Sequence, residues 1–179
     1  MPELRITGGE LGGRRIRVPR GGRDLRPTTE KVREAIFSIL GDVSDARVLD
    51  LFAGTGALAI EALSRGAAEA TLVDMHPRAA RQNVESLGLG DRAQVVRADA
   101  ARFLRRVEEG SFDLVLCDPP YRLADRLAAE LDPLIHRTLV EGGRVVVETS
   151  PDRPLPIDLP ILVERRYGDT LISVRGGEG

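Results

Sequence analysis

Cysteine is almost absent from this chain: Cys117 stands alone. That excludes an internal disulfide and, with only His76 and His136 to join it, a Cys/His zinc cluster. No metal site is expected. Tryptophan is missing and Lys31 is the sole lysine, so the other cations are arginines. We take this as a bias of composition from which no mechanism follows. No run approaches the ~20 uninterrupted apolar residues of a membrane-spanning helix. The opening MPELRITGGELGG also lacks the apolar centre of a secretory signal. The expectation is a cytoplasmic protein with no membrane partner, acting as a monomer. Its 179 residues, 42% hydrophobic, suffice for one globular domain with a sizeable core.

Net charge is −2, but its distribution is uneven. Residues 1–26 hold seven arginines against Glu3, Glu10 and Asp24, an excess of four positive charges that leaves the remainder at −6. A basic arm on an acidic body suits a polyanionic partner, because arginines gain affinity by displacing phosphate counterions. Charge alone leaves open that these arginines merely solvate a hairpin.

The segment LRITGGELGGRRIRVP alternates extended-type residues with glycine pairs and predicts a small β-hairpin. After Pro27, either Thr28 or Thr29 can cap a helix whose apolar positions are Val32, Ala35, Ile36, Ile39 and Leu40. From Arg47 the pattern becomes strands alternating with helices. Strands are predicted at 47–52, 70–74, 93–97, 112–117 and 143–149. Helices are predicted at 57–64, 78–87, 101–108 and 123–139, the last broken near Pro133. The strands are apolar runs without strict alternation, as strands buried on both faces should be, which implies a mostly parallel sheet wrapped by helices. Prolines 151, 154, 156 and 160 preclude a long helix and leave short strands at 161–166 and 171–174 around a Gly168-Asp169 turn. The division expected is a basic arm (1–26), a domain over 27–175 led by a helix at 27–41, and a tail at 176–179.

The first long strand ends in Asp50-Leu51-Phe52-Ala53-Gly54-Thr55-Gly56, where glycines let a ligand approach the backbone. Gly54-x-Gly56-x-x-Ala59 also satisfies the relaxed dinucleotide fingerprint, so an NAD-dependent oxidoreductase must be considered. Asp74 ends the next strand, where an acid can accept from ribose hydroxyls, and Asp99 follows the third, where an acid can accept from an adenine amine. Asp50 separates the cofactors: beside the glycine loop it would repel a pyrophosphate but attract the ammonium of a methionine moiety. Each aspartate could instead simply cap a helix. Asp50 thus favours a sulfonium cofactor, and three aspartates together are harder to assign to capping alone.

Phe112 to Tyr121 form an apolar strand that delivers Asp118-Pro119-Pro120-Tyr121 to the sheet's carboxyl edge. An exocyclic base amine is a poor nucleophile because its lone pair is delocalised into the ring. Asp118 and the Pro119 carbonyl can accept both amine hydrogens and favour a pyramidal nitrogen. The prolines fix φ and hold those acceptors in place. Tyr121 offers a face for an extruded base. Cys117 lies inside the apolar run and is expected to be a core residue.

Taken with Arg5-Ile6-Thr7-Gly8-Gly9, Gly13-Arg14-Arg15, Arg26-Pro27-Thr28-Thr29-Glu30-Lys31-Val32-Arg33-Glu34 and Tyr167-Gly168-Asp169-Thr170, these motifs resemble the bacterial RsmD family over nearly the whole chain. The resemblance implies a class I S-adenosylmethionine-dependent methyltransferase (Rossmann-like) α/β fold. Its seven-stranded, mostly parallel sheet would have an antiparallel last strand, plus the N-terminal hairpin and helix. It implies methyl transfer from S-adenosylmethionine to a guanine N2 in 16S ribosomal RNA, free or in the small subunit. Asp50, Phe52, Gly54 and Gly56 would surround the methionine part, Asp74 the ribose, and Asp99 with Ala100 the adenine. Ala53, Thr55 and Met75 complete the expected cofactor set. Asp118, Pro119, Pro120 and Tyr121 would hold the guanine. Arg5, Arg14, Arg15, Arg17, Arg26 and Thr28 are the expected RNA contacts, with the Arg26 to Thr29 segment alternatively closing the cofactor pocket. Similar catalytic loops serve DNA adenine-N6 and protein-glutamine methyltransferases, and a non-catalytic RNA-binding assembly factor would use the arm but not the loop.

Overall fold

The computed structural model describes residues 2–19, 28–120 and 124–177. Strands β1 (Glu3–Arg5) and β2 (Arg15–Arg17) pair antiparallel as the expected hairpin. Helix α1 (Glu30–Leu40) leads into β3 (Arg47–Leu51), α2 (Ala57–Ser64), β4 (Glu69–Asp74), α3 (Arg78–Ser86) and β5 (Ala93–Arg97). Then come α4 (Ala100–Leu104), β6 (Phe112–Cys117), α5 (Ala124–Thr138), β7 (Leu139–Thr149), β8 (Ile161–Tyr167) and β9 (Thr170–Gly176).

The strands from β3 onward form one sheet in the order β5-β4-β3-β6-β7-β9-β8. Pairings from β5 to β7 are parallel, while β9 runs antiparallel to both its neighbours. This is the class I methyltransferase topology. Chain order reverses between β3 and β6, and the crevice beyond the carboxyl ends there is where open α/β sheets bind ligands.

Alternation along the buried strands divides the core between two faces. Val48, Leu72, Leu116 and Val146 meet α1, α2, α3 and the hairpin on one side. Leu49, Leu51, Val115 and Val147 meet α4 and α5 on the other, where Cys117 is buried as expected. The proline-rich stretch also belongs to this second layer: Leu155 and Ile157 are both buried, and the Asp158 N–H donates to Asp132 Oδ1 at 2.9 Å.

Several boundaries differ from the sequence expectation. Helix α5 runs through Pro133 without a break. One backbone bond is lost there, but Ala128, Leu131 and Ile135 anchor the helix on both sides of it. Strand β7 begins at Leu139, because Leu139 already lies opposite Phe112 and the glycine pair at 142–143 stays within the strand. Helix α4 is shorter than 101–108, and β9 extends to Gly176, which takes that residue out of the tail.

The hairpin is fastened to the body rather than projecting from it. Glu61 of α2, fully buried, accepts the backbone N–H groups of Thr7 (2.9 Å) and Gly8 (2.9 Å) and the Thr7 hydroxyl (2.6 Å). Arg65 donates to the same carboxylate at 3.0 Å, and Arg33 lies 3.8 Å from it. Farther along, Asn83 of α3 exchanges both backbone hydrogen bonds with Arg17 and also donates to the Thr55 carbonyl. The hairpin is therefore tied to the glycine loop.

Gly9 shows how close the fit is. Its φ is +75°, and a Cβ there would stand 1.8 Å from the Ser64 carbonyl oxygen. Gly9→Ala must push the hairpin off α2, and we expect a loss of at least ~2 kcal/mol in denaturant unfolding. A variant as stable as the parent would show that the hairpin docks in another way.

Candidate active site

Five carboxylates leave the carboxyl edge of the sheet, one per strand. In spatial order they are Asp99 after β5, Asp74 on β4, Asp50 on β3, Asp118 after β6 and Glu148 on β7. At ~4.8 Å between strands the row spans about 20 Å. Asp50, Asp118 and Glu148 share one sheet face by alternation, the face covered by α1 and the hairpin.

Each of the three predicted cofactor aspartates also has structural work. Asp50 accepts the Ala59 N–H at 3.2 Å, capping α2 from the strand, because the N-cap position itself is Gly56 with no side chain to offer. Asp74 Oδ2 accepts the Gly54 N–H at 2.9 Å and Oδ1 the His76 N–H at 2.7 Å, so it fixes the glycine loop. Asp99 N-caps α4 through the Arg102 N–H at 3.0 Å. The helix-capping alternative is thus realised at Asp50 and Asp99, and every one of these carboxylates keeps oxygen lone pairs for a ligand.

The loop between β3 and α2 is shaped for close approach. Phe52 takes φ +62°, a left-handed conformation that costs a bulky residue on the order of 1 kcal/mol or more. Gly56 has φ +80°, and a Cβ there would lie 2.8 Å from Leu72 Cδ2. The cavity at the topological switch is walled by Asp50, Phe52 to Thr55 and Asp118, with Val18 and Thr28 from the N-terminal segment above. Asp74, the half-exposed Met75, the exposed Asp99 and Ala100 lie farther along the same edge, at the ends of β4 and β5. Pro119 is buried and Pro120 exposed. Tyr121 and Arg26 fall outside the described residues.

Burial dominates the electrostatics. Asp50 is 1% exposed, and loss of solvent, with a smaller contribution from Asp74, pushes its carboxyl up to about 7. Desolvation raises Asp118 well above the usual carboxylate range, and the charges of Glu148 and Asp50 raise it further. Glu148 is raised by burial and held down by the Thr28 hydroxyl and Arg33. Burial likewise pushes the Cys117 thiol far up, which removes it as a nucleophile.

Thr28 is a wall of the cavity rather than part of an open RNA surface. It is buried, and its hydroxyl donates to Glu148 Oε2 at 2.6 Å. Arg33, also buried, donates to the Thr28 and Arg5 carbonyls at 2.6 Å each. The arginines at 5, 14, 15 and 17 are exposed, with Arg5 paired to Glu30 and Arg15 to Glu3. Sequence reasoning missed Glu148, Arg33, Glu61 and Asn83. Glu148 carried a readable signal, an acid closing the apolar run Val145-Val146-Val147 just as Asp50, Asp74 and Asp118 close theirs.

A family model, Conserved hypothetical protein 95, matches residues 4–175. Ribosomal RNA small subunit methyltransferase D of Escherichia coli K12 is 44% identical over 160 residues, covering 86% of this chain and 78% of that protein. The protein of the same name from Haemophilus influenzae is 32% identical over 183 residues, covering 97% of this chain and 92% of that one. Among solved structures, the yhhF protein of Escherichia coli superposes with a TM-score of 0.82 at 34% identity, covering 99% of this chain and 100% of that one.

Asp50 gives a pH signature. Its carboxyl holds a proton to about 7 in the folded chain, against ~3.9 when unfolded. The folded state therefore binds more protons between these values, so its stability falls as pH rises through that window. Asp50→Asn removes the effect while its amide oxygen still accepts the Ala59 N–H. The ligand-free variant should melt above the parent at pH 8, with the gap closing towards pH 4 in circular-dichroism melts. A variant that melts lower at pH 8 contradicts the assignment.

Proposed function

The chain belongs to the RsmD family, and from that membership we propose that it methylates the exocyclic N2 of a guanine in 16S ribosomal RNA, using S-adenosylmethionine. The observation that carries this reading is the position of Asp118 and Pro119 beside Asp50 on one carboxyl edge. An amine-holding loop and a buried, cation-seeking carboxylate line the same cavity.

The residues present fit the cofactor. Asp50 has no cationic partner among the described residues, and the methionine ammonium would supply one. Asp74 and Asp99 have lone pairs to spare for ribose and adenine donors, with Met75 and Ala100 beside them, and Phe52 to Gly56 let a ligand lie against backbone. When bound, S-adenosylmethionine supplies a methyl group on a positively charged sulfur. Asp118 and the Pro119 carbonyl accept the two amine hydrogens and turn the nitrogen lone pair away from the ring. The proton that the amine sheds passes to Asp118, whose raised affinity for protons suits it to receive one. Pro119 and Pro120 hold this geometry, and Tyr121 is the expected stacking face for the base.

The exposed Arg5, Arg14, Arg15 and Arg17, with Arg26, are the proposed contacts to RNA phosphates, while Thr28 serves the pocket. We read the enzyme as a cytoplasmic monomer, in keeping with a ribosomal substrate.

The decisive experiment incubates the protein with labelled cofactor and small subunits, or free 16S RNA, from a strain lacking the corresponding activity. Nucleoside analysis should find N2-methylguanosine. Asp118→Ala should reduce transfer by at least ~100-fold while S-adenosylhomocysteine still binds. Full activity in that variant would sink the mechanism, and tight NADH binding without S-adenosylhomocysteine binding would favour an oxidoreductase.

Cofactor affinity should also depend on pH. Asp50 must be ionised to pair with the ammonium, so the dissociation constant for S-adenosylhomocysteine should rise by up to ~10-fold per unit below pH 7, and Asp50→Asn should flatten that slope. For the arm, reversing charge at Arg14 and Arg17 should weaken RNA binding and lower its salt dependence while sparing cofactor affinity. Unchanged RNA affinity would leave these arginines as a solvated hairpin.

A further inference from the structure

Glu148 matches no motif, yet it completes the same edge. In the parallel pairing of β6 and β7, Cys117 lies opposite Val147. The next residues, Asp118 and Glu148, therefore leave the sheet side by side. Glu148 is 6% exposed, and among the described residues only the Thr28 hydroxyl bonds it, at Oε2. Its neighbours on either side, Thr28 and Asp118, both line the cavity. A buried carboxylate beside Asp118 carries an electrostatic cost, and a glutamine would hold Thr28 equally well. The structural role leaves the charge and Oε1 unexplained.

The edge of the base offers an explanation. Guanine presents its N1–H directly beside the N2 amine, so two kinds of donor face the same direction. An ionised carboxylate is an acceptor only. Adenine and cytosine instead present a ring-nitrogen lone pair beside their amines, which a carboxylate repels. Enzymes that extrude a base read it on this Watson–Crick edge.

We propose that Glu148 is a specificity-determining residue that accepts the guanine N1–H through Oε1 while Asp118 and the Pro119 carbonyl hold the N2 amine. The inference rests on the guanine-N2 reading above. Thr28 and Arg33 act as positioning residues: the Thr28 hydroxyl fixes Oε2, and Arg33 supplies positive charge that favours the ionised form. Since Arg33 also holds the Arg5 carbonyl and lies against Glu61, the hairpin and the base-reading carboxylate belong to one connected network.

The test compares substrate RNA carrying guanine or 2,6-diaminopurine at the modified position. Diaminopurine keeps the 2-amine but has a lone pair at N1. The parent enzyme should show kcat/KM at least tenfold lower on diaminopurine, a comparison that needs no variant. Glu148→Gln, whose amide can accept from Thr28 and donate to that lone pair, should lose about 10- to 100-fold on guanine. It should lose much less on diaminopurine, with S-adenosylhomocysteine affinity unchanged. Equal losses on both bases, or a parent enzyme indifferent to the base, would overturn the assignment. If the parent's product on guanine RNA is not N2-methylguanosine, the underlying reading fails first and separately.

Discussion

A carboxylate with no access to solvent must be satisfied by the protein itself, and at Glu61 that requirement organises the whole N-terminal third. Its oxygens take two backbone N–H groups and a hydroxyl from the hairpin and a guanidinium from Arg65, with Arg33 close by. An unmatched charge in this position would cost several kcal/mol, so hairpin, α1 and α2 hold one relative arrangement. Arg33 carries the constraint onward to Thr28, and Thr28 to Glu148. The position of a helix residue beneath the hairpin thereby sets the wall of the cavity on the same face of the sheet.

The same face concentrates negative charge where little solvent reaches it. Desolvation raises the proton affinity of Asp50, Asp118 and Glu148 alike, and the charges of Glu148 and Asp50 raise that of Asp118 further. Such a site is poorly satisfied when empty and well satisfied by a ligand that brings a cation and several donors. Stability and binding are therefore set against each other in the same three residues, as is common where groups are prepared for chemistry.

The sheet was legible because buried parallel strands are short apolar runs with abrupt ends, and β5 and β6 fall on the expected residues. The edge carboxylates were legible for the same reason, since an acid that ends such a run has nowhere to point but the carboxyl edge. Helix α5 defeated the local rule at Pro133, where three anchored apolar side chains outweigh one missing backbone bond. Docking of the hairpin was not legible. Its partners lie more than fifty positions away, at Glu61 and Asn83, and each reads in sequence as an ordinary polar helix residue. Glu148 escaped notice because its meaning depends on standing next to Asp118, a relation that exists only once the strands pair.

The bond between Thr28 and Glu148 spans 120 positions, and those from the hairpin to Glu61 span more than fifty. Local elements can form early, but these contacts bring together segments far apart in sequence, and closing so long a loop is slow. As the chain is synthesised, the hairpin can dock once α3 has emerged, whereas Thr28 waits for Glu148. The cavity thus acquires its wall only after β7 has joined the sheet. An intermediate with a largely formed sheet would hold the loop residues of the site without their cover, so binding competence should appear as a late event in folding.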